Sequence, residues 1–206
     1  MESKLKVTSS LIREILDNGT LREYCPARVY DKYILGNKDD PSPAQAKGIY
    51  FNWLVTGKFA DDDKPVTDLE RKNNGDNTID QLLIESQAEL CKNLLKKHGC
   101  VVDDKYSEFI ITTVWEEDDS VIIPIKIDLL TPYQANPDDD PELIIIDFKL
   151  TKDLRSTYPP KFAWGNIQNM DHVQLVCYTY VFARETGKQI KSSYWLFDYK
   201  LKKPNP

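Results

Sequence analysis

The chain has 206 residues, of which 41% are hydrophobic and 29% charged, a length and balance that suit one soluble domain with a sizeable core. It has no apolar run long enough to span a bilayer, and Met1-Glu2-Ser3-Lys4-Leu5-Lys6 lacks the apolar stretch of a signal peptide, so a cytoplasmic location with no membrane partner is expected. The formal net charge of −6 speaks against a broad basic face, though it leaves room for local contacts to nucleic acid.

The four cysteines, Cys25, Cys91, Cys100 and Cys177, show no CxxC spacing, which points away from a disulfide scaffold or a zinc ribbon. Residues 7–17 read as a first helix with Thr8 or Ser9 as its cap. Tyr24-Cys25-Pro26-Ala27-Arg28 and an aromatic stretch, 30–35, come next. Residues 36–47 carry turn formers, and a short helix is expected over about 44–55. Residues 61–77 are polar and read as a surface loop, its acidic run included. The first 60 residues thus form a mainly helical segment ahead of that loop.

Residues 79–98 give the clearest early helix, with Ile79, Leu82, Leu83, Leu90 and Leu94 read as its apolar face. Thr78 and Gln81 fit a capping box, and Gly99 fits a C-terminal stop. Three strands are expected at 109–115, 121–130 and 143–150. A long helix over 166–185 and a last strand over 192–199 complete the chain. The order is helix, three strands, helix, strand. It predicts an α/β fold with one central mixed sheet flanked by helices.

The chemistry concentrates in two strands. Ile144-Ile145-Ile146 marks a strand covered on both faces, and the two-residue period puts Asp147 and Lys149 on one of them. In the preceding strand Ile125, Ile127 and Leu129 share one face, while Lys126 and Asp128 share the other. An acid and a base within buried strands are costly unless they are paired or bind a metal. If the strands pair, Asp128 falls beside Asp147. Two carboxylates suit Mg²⁺ or Mn²⁺, which take hard oxygen ligands and activate water. Lys149 would then orient that water, share in its deprotonation, or stabilise phosphate charge. The alternative is a buried Asp–Lys ion pair with no catalysis.

Pro124-Ile125-Lys126-Ile127-Asp128, a spacer, and Asp147-Phe148-Lys149 resemble the split signature of the PD-(D/E)xK nuclease superfamily. Gln174-Leu175-Val176-Cys177-Tyr178 matches the QxxxY motif of its RecB-like branch. Tyr24-Cys25-Pro26-Ala27-Arg28-Val29-Tyr30 and Gly48-Ile49-Tyr50-Phe51 resemble the opening motifs of RecB-like and phage exonuclease-like members. The resemblance spans most of the chain in family order. It implies a restriction-endonuclease-like core with the order αβββαβ, and a Mg²⁺- or Mn²⁺-dependent deoxyribonuclease that serves recombination, repair or phage replication. A recombination or replication partner protein, and a host cell's cytoplasm for a phage protein, belong to the same implication.

Catalytic roles then fall to Asp128, Asp147, Lys149, Gln174 and Tyr178. Metal ligands would be Asp128, Asp147 and the Phe148 backbone carbonyl. Asn52 stands where the family often has a histidine ligand, and it offers a neutral carbonyl oxygen; Glu89 is the substitute from the helix over 79–98, although solvated surface positions suit Glu85 and Glu89 better. Asp171 shares the helix face of Gln174 and Tyr178. The stretch Tyr158, Lys161, Phe162 and Trp164 suits either stacking on unpaired bases or covering the core. Some relatives hold an iron–sulfur cluster starting at a cysteine like Cys25, but no cysteine follows Cys177 to close one, so no cluster is expected. Two other readings stay open: an endonuclease of the same fold, and a nucleic-acid-binding or assembly module with weakened catalysis. Asn52 and the net charge favour the latter.

Overall fold

The isoleucine run lies in a strand between two others, as its two-faced apolarity requires. That strand, β6 (Glu142–Thr151), has Ile144, Ile145 and Ile146 all buried. The computed structural model describes residues 5–17, 20–21, 26–37, 41–58, 78–152, 154 and 172–200. The strands in chain order are β1 (Leu5–Lys6), β2 (Leu16–Asp17), β3 (Thr20–Leu21), β4 (Ser107–Trp115), β5 (Asp118–Tyr133), β6 and β7 (Lys191–Asp198). The helices are α1 (Ser9–Ile15), α2 (Pro26–Val29), a π-helical turn (Tyr30–Ile34), α3 (Pro43–Thr56), α4 (Ile79–Lys97) and α5 (Val173–Thr186).

The main sheet has the order β1-β5-β6-β7, and β4 also pairs with β5. It is mixed: β1 runs parallel to β5, and β6 runs antiparallel to it. β2 and β3 make a separate two-stranded antiparallel pair. The chain divides into two compact units, 1–40 with 110–126 and 171–191, and 41–109 with 127–170 and 192–206.

In the first unit, β1 pairs with the start of β5 through Leu5 opposite Val121 and Lys6 opposite Ile122. The Val7 amide carries the pairing one step further by donating to the Ile122 carbonyl at 2.8 Å. Thr8 caps α1, its hydroxyl accepting from the Leu11 amide, and α1 packs on α5. Arg184 of α5 forms an ion pair with Glu116. The expected helix over 7–17 is thus shorter: Val7 bonds to Ile122 beside β1, Thr8 is the cap, and Leu16–Asp17 form β2. Helix α5 is described from Val173; residues 166–171 of the longer expected helix lie outside the described residues, as does the loop 61–77.

The second unit holds the larger core. Phe51 is fully buried and meets Phe148 and Phe197 with ring centroids 6.4 and 5.1 Å apart. Ile84, Ala88, Cys91 and Leu95 of α4 share this core with Leu129, Ile144, Ile146 and Phe148. Helix α3 packs on both α4 and β6. It begins at Pro43 with a full capping box, Ser42 and Gln45 each accepting from the other's amide, within one residue of the expected start.

Helix α4 corrects one expectation. Its buried stripe is Gln81, Ile84, Ala88, Cys91 and Leu95, whereas Ile79, Leu82 and Leu90 are exposed and Leu83 and Leu94 sit at the margin of the core. Both stripes have helical spacing, and the larger side chains lie on the wrong one. The small Ala88 and Cys91 allow close approach to α3 and the sheet, and packing therefore selects their face. At the helix start the Thr78 hydroxyl accepts from the Gln81 amide. The Gln81 side chain meanwhile turns inward, donating to Tyr50 and Glu85. Gly99, with φ +66°, ends the helix as expected.

Candidate active site

Strand pairing builds the site. In the β5–β6 register Leu129 faces Ile146 and Leu130 faces Ile145. The pairing starts at Leu129, and just beyond it Asp128 lies near enough to Asp147 to feel its charge. Leu129, Ile146 and Phe148 point into the core with α3 and α4, so strand alternation sends Asp128, Asp147 and Lys149 to the other face of the sheet. One Asp128 oxygen accepts the Phe148 amide at 2.9 Å, fastening the carboxylate to the neighbouring strand. Lys149 forms an ion pair with Asp147. Asp147 is fully buried and Asp128 nearly so, while the Lys149 side chain keeps 26% of its exposure.

The electrostatics are strained in one direction. Burial pushes the Asp128 carboxyl up to about 8, and the negative charge of Asp147 adds to the rise. Lys149 opposes it, Glu108 adds to it, and the Phe148 amide opposes it again. Glu108 is a residue that the sequence pattern did not single out. It lies in β4 and takes φ +53°, the left-handed region that a residue with a side chain enters only at a cost. Its sole signal in the sequence is an acid at the head of a β-branched and aromatic run. The site thus sets three carboxyl groups against one ammonium.

That donor set suits a hard divalent cation. Carboxylate oxygens are hard donors, and a cation would offset the repulsion from Asp147 that adds to the lift of Asp128. Asn52 of α3 has a buried side-chain oxygen with no hydrogen-bond partner among the described residues, but α3 packs on the core face of the sheet, opposite Asp128 and Asp147. Among the described residues no three His, Cys, Asp or Glu side chains stand close enough together to hold a metal ion. Glu89 does not join the acids. It sits on the exposed side of α4 and pairs with Lys92 at 2.7 Å. Glu85 instead accepts from the Tyr50 hydroxyl at 2.8 Å between α3 and α4.

Gln174 and Tyr178 come together on α5, in the first unit. The Gln174 amide donates to the Tyr178 hydroxyl at 2.6 Å, and Tyr178 is buried. Asp171, Tyr158, Lys161, Phe162, Trp164 and Cys25 lie outside the described residues. Cys91, Cys100 and Cys177 form no disulfide among the described residues. Burial pushes Cys91 well above the usual thiol range and Cys100 to about 11, values that keep both protonated and unreactive. His98 is structural: its Nδ1 lies 2.8 Å from the Gln134 carbonyl, and its ring stacks on Tyr133. No helix among the described residues is long and apolar enough to cross a membrane.

No protein-family model matches the sequence, and no curated protein matches it either. A solved structure does share the fold. It is a candidate exonuclease from Eubacterium rectale, 15% identical, with a TM-score of 0.54 over 95% of this chain and 68% of that one. At that identity the likeness establishes the architecture, an α/β fold with a mixed central sheet and helices packed against it.

Proposed function

We propose that this protein is a Mg²⁺- or Mn²⁺-dependent deoxyribonuclease of the RecB-like PD-(D/E)xK type, acting as an exonuclease in recombination, repair or phage replication. One observation carries the reading: two buried carboxylates on neighbouring antiparallel strands lie near enough to repel each other, with the Lys149 ammonium on one of them. The candidate exonuclease with the same fold supports it.

In this reading Asp128, Asp147 and the Phe148 carbonyl hold the cation, while Asn52 lies on α3, which packs on the opposite face of the sheet. A divalent cation at such a site polarises a water and offsets charge on the scissile phosphate. The rest belongs to the chain. Asp147 keeps Lys149 directed at the site, and the Phe148 amide keeps Asp128 in place. The Lys149 ammonium donates to phosphate oxygens or to the attacking water, stabilising the charge that builds in the transition state. Gln174 and Tyr178 brace each other on α5; a substrate role for them, and for Asp171, Lys161 and Trp164, rests on the motif resemblance alone.

Incubation with linear and closed circular DNA, with Mg²⁺, with Mn²⁺ and with EDTA, tests this reading. Loss of linear DNA alone, abolished by EDTA, is expected. Cleavage of circles would make the enzyme an endonuclease. No cleavage of any DNA or RNA would favour a binding or assembly module, a reading that the lack of a three-side-chain metal group among the described residues also favours.

A further inference from the structure

Strand β7 presents two different faces. Trp195, Phe197 and Tyr199 belong to the core with α3 and α4, and alternation therefore turns Tyr194 to the opposite face, the one that carries Asp147 and Lys149. There the Lys149 ammonium lies 5.4 Å from the centre of the Tyr194 ring, within the range of a cation–π contact. Lys149 is thus held from two sides, by the Asp147 carboxylate and by an aromatic face.

We propose that Tyr194 is the positioning residue for Lys149: its ring holds the ammonium in place when the Asp147 carboxylate is engaged by a divalent cation. The inference rests on the nuclease reading above. The lysine stem has four rotatable carbons and a point charge at its tip. Asp147 alone is a poor anchor, because the same carboxylate is the proposed metal ligand. Once a cation shares it, the attraction for the ammonium falls. A second carboxylate on β7 would restore the anchor but would add charge to a site that already sets three acids against one base. An aromatic face attracts the ammonium without that charge and offers no oxygen ligand at the contact, so it does not compete for the metal. Small displacements of a catalytic group cost rate steeply, and that gives the ring kinetic weight.

The test compares Tyr194→Phe, Tyr194→Trp and Tyr194→Leu in the full chain, each first shown to fold by thermal melting. The Lys149 side-chain methylene protons should show an upfield ring-current shift by NMR in the wild type, Tyr194→Phe and Tyr194→Trp, and lose it in Tyr194→Leu. With Mn²⁺ and DNA, Tyr194→Leu should lose about 10-fold in kcat with KM and Mn²⁺ affinity within about twofold, while Tyr194→Phe stays within about twofold throughout. A purely structural role would instead lower the melting temperature and leave kcat per folded molecule unchanged. Absence of the ring-current shift in the wild type overturns the proposal whatever the activity. The shift with unchanged kcat in Tyr194→Leu overturns the positioning role while the nuclease reading stands. The shift with no metal-dependent cleavage by the wild type overturns the nuclease reading, and the positioning role with it.

Discussion

Asp128→Asn should make the metal-free protein more stable above neutral pH. The folded state lifts the Asp128 carboxyl from 3.8 to about 8, first through burial and then through the charge of Asp147. The carboxyl therefore binds its proton more tightly folded than unfolded. Its contribution to stability is fully present below about pH 4 and is lost as the pH rises through about 8. A gap of about 4 units, at about 1.36 kcal/mol each, sets a ceiling on the order of 5 kcal/mol. Local relaxation and water entry cut such penalties, and about 2–4 kcal/mol is expected in practice. Asparagine keeps an oxygen to accept the Phe148 amide and carries no charge, so the variant escapes the loss. For a chain of this size about 1 kcal/mol moves the melting temperature by roughly 2–4 °C. Thermal melts in EDTA from pH 4 to 9 should show the wild type falling away from the variant as the pH rises, by roughly 5–15 °C at the alkaline end. Added Mg²⁺ or Mn²⁺ should raise the wild type and close the gap, because a ligand of the native state stabilises it by mass action. Parallel curves, or a variant less stable than the wild type at pH 9, would refute the reasoning.

Lys149→Ala should bind Mn²⁺ by calorimetry as tightly as the wild type but cleave about 10²–10⁴-fold more slowly in single turnover, whereas Asp128→Asn should lose metal affinity and activity together. Wild-type cleavage by Lys149→Ala would remove the lysine from the mechanism. Ile84→Ala should cost about 2–5 kcal/mol in denaturant melts, and Ile79→Ala less than about 0.5 kcal/mol, since only the first side chain is buried. The reverse order would restore the apolar face expected from side-chain size. Purified protein should show no visible absorbance band and no stoichiometric iron. A brown preparation with iron would restore the cluster.

Local rules made much of this protein legible before its structure. Ile144-Ile145-Ile146 marked an inner strand because only a strand covered on both faces accepts consecutive large apolar side chains. The two-residue period placed Asp147 with Lys149, and set Asp128 opposite the face of Ile127 and Leu129, since alternation is a property of the backbone itself. The cap at Thr78 and the stop at Gly99 were legible for the same reason: each satisfies end groups of its own helix. Other features needed partners from distant parts of the chain. The buried face of α4 was decided by the space that Phe51 and β6 leave for Ala88 and Cys91, and side-chain size alone pointed to the wrong face. The parallel pairing of Leu5 and Lys6 with β5 gains its stability from a strand more than a hundred residues away. Glu108 in its left-handed conformation, the lift it gives Asp128, and the Tyr194 ring beside Lys149 depend on through-space distances between separate strands. No local period encodes those distances, so tertiary packing alone could set them.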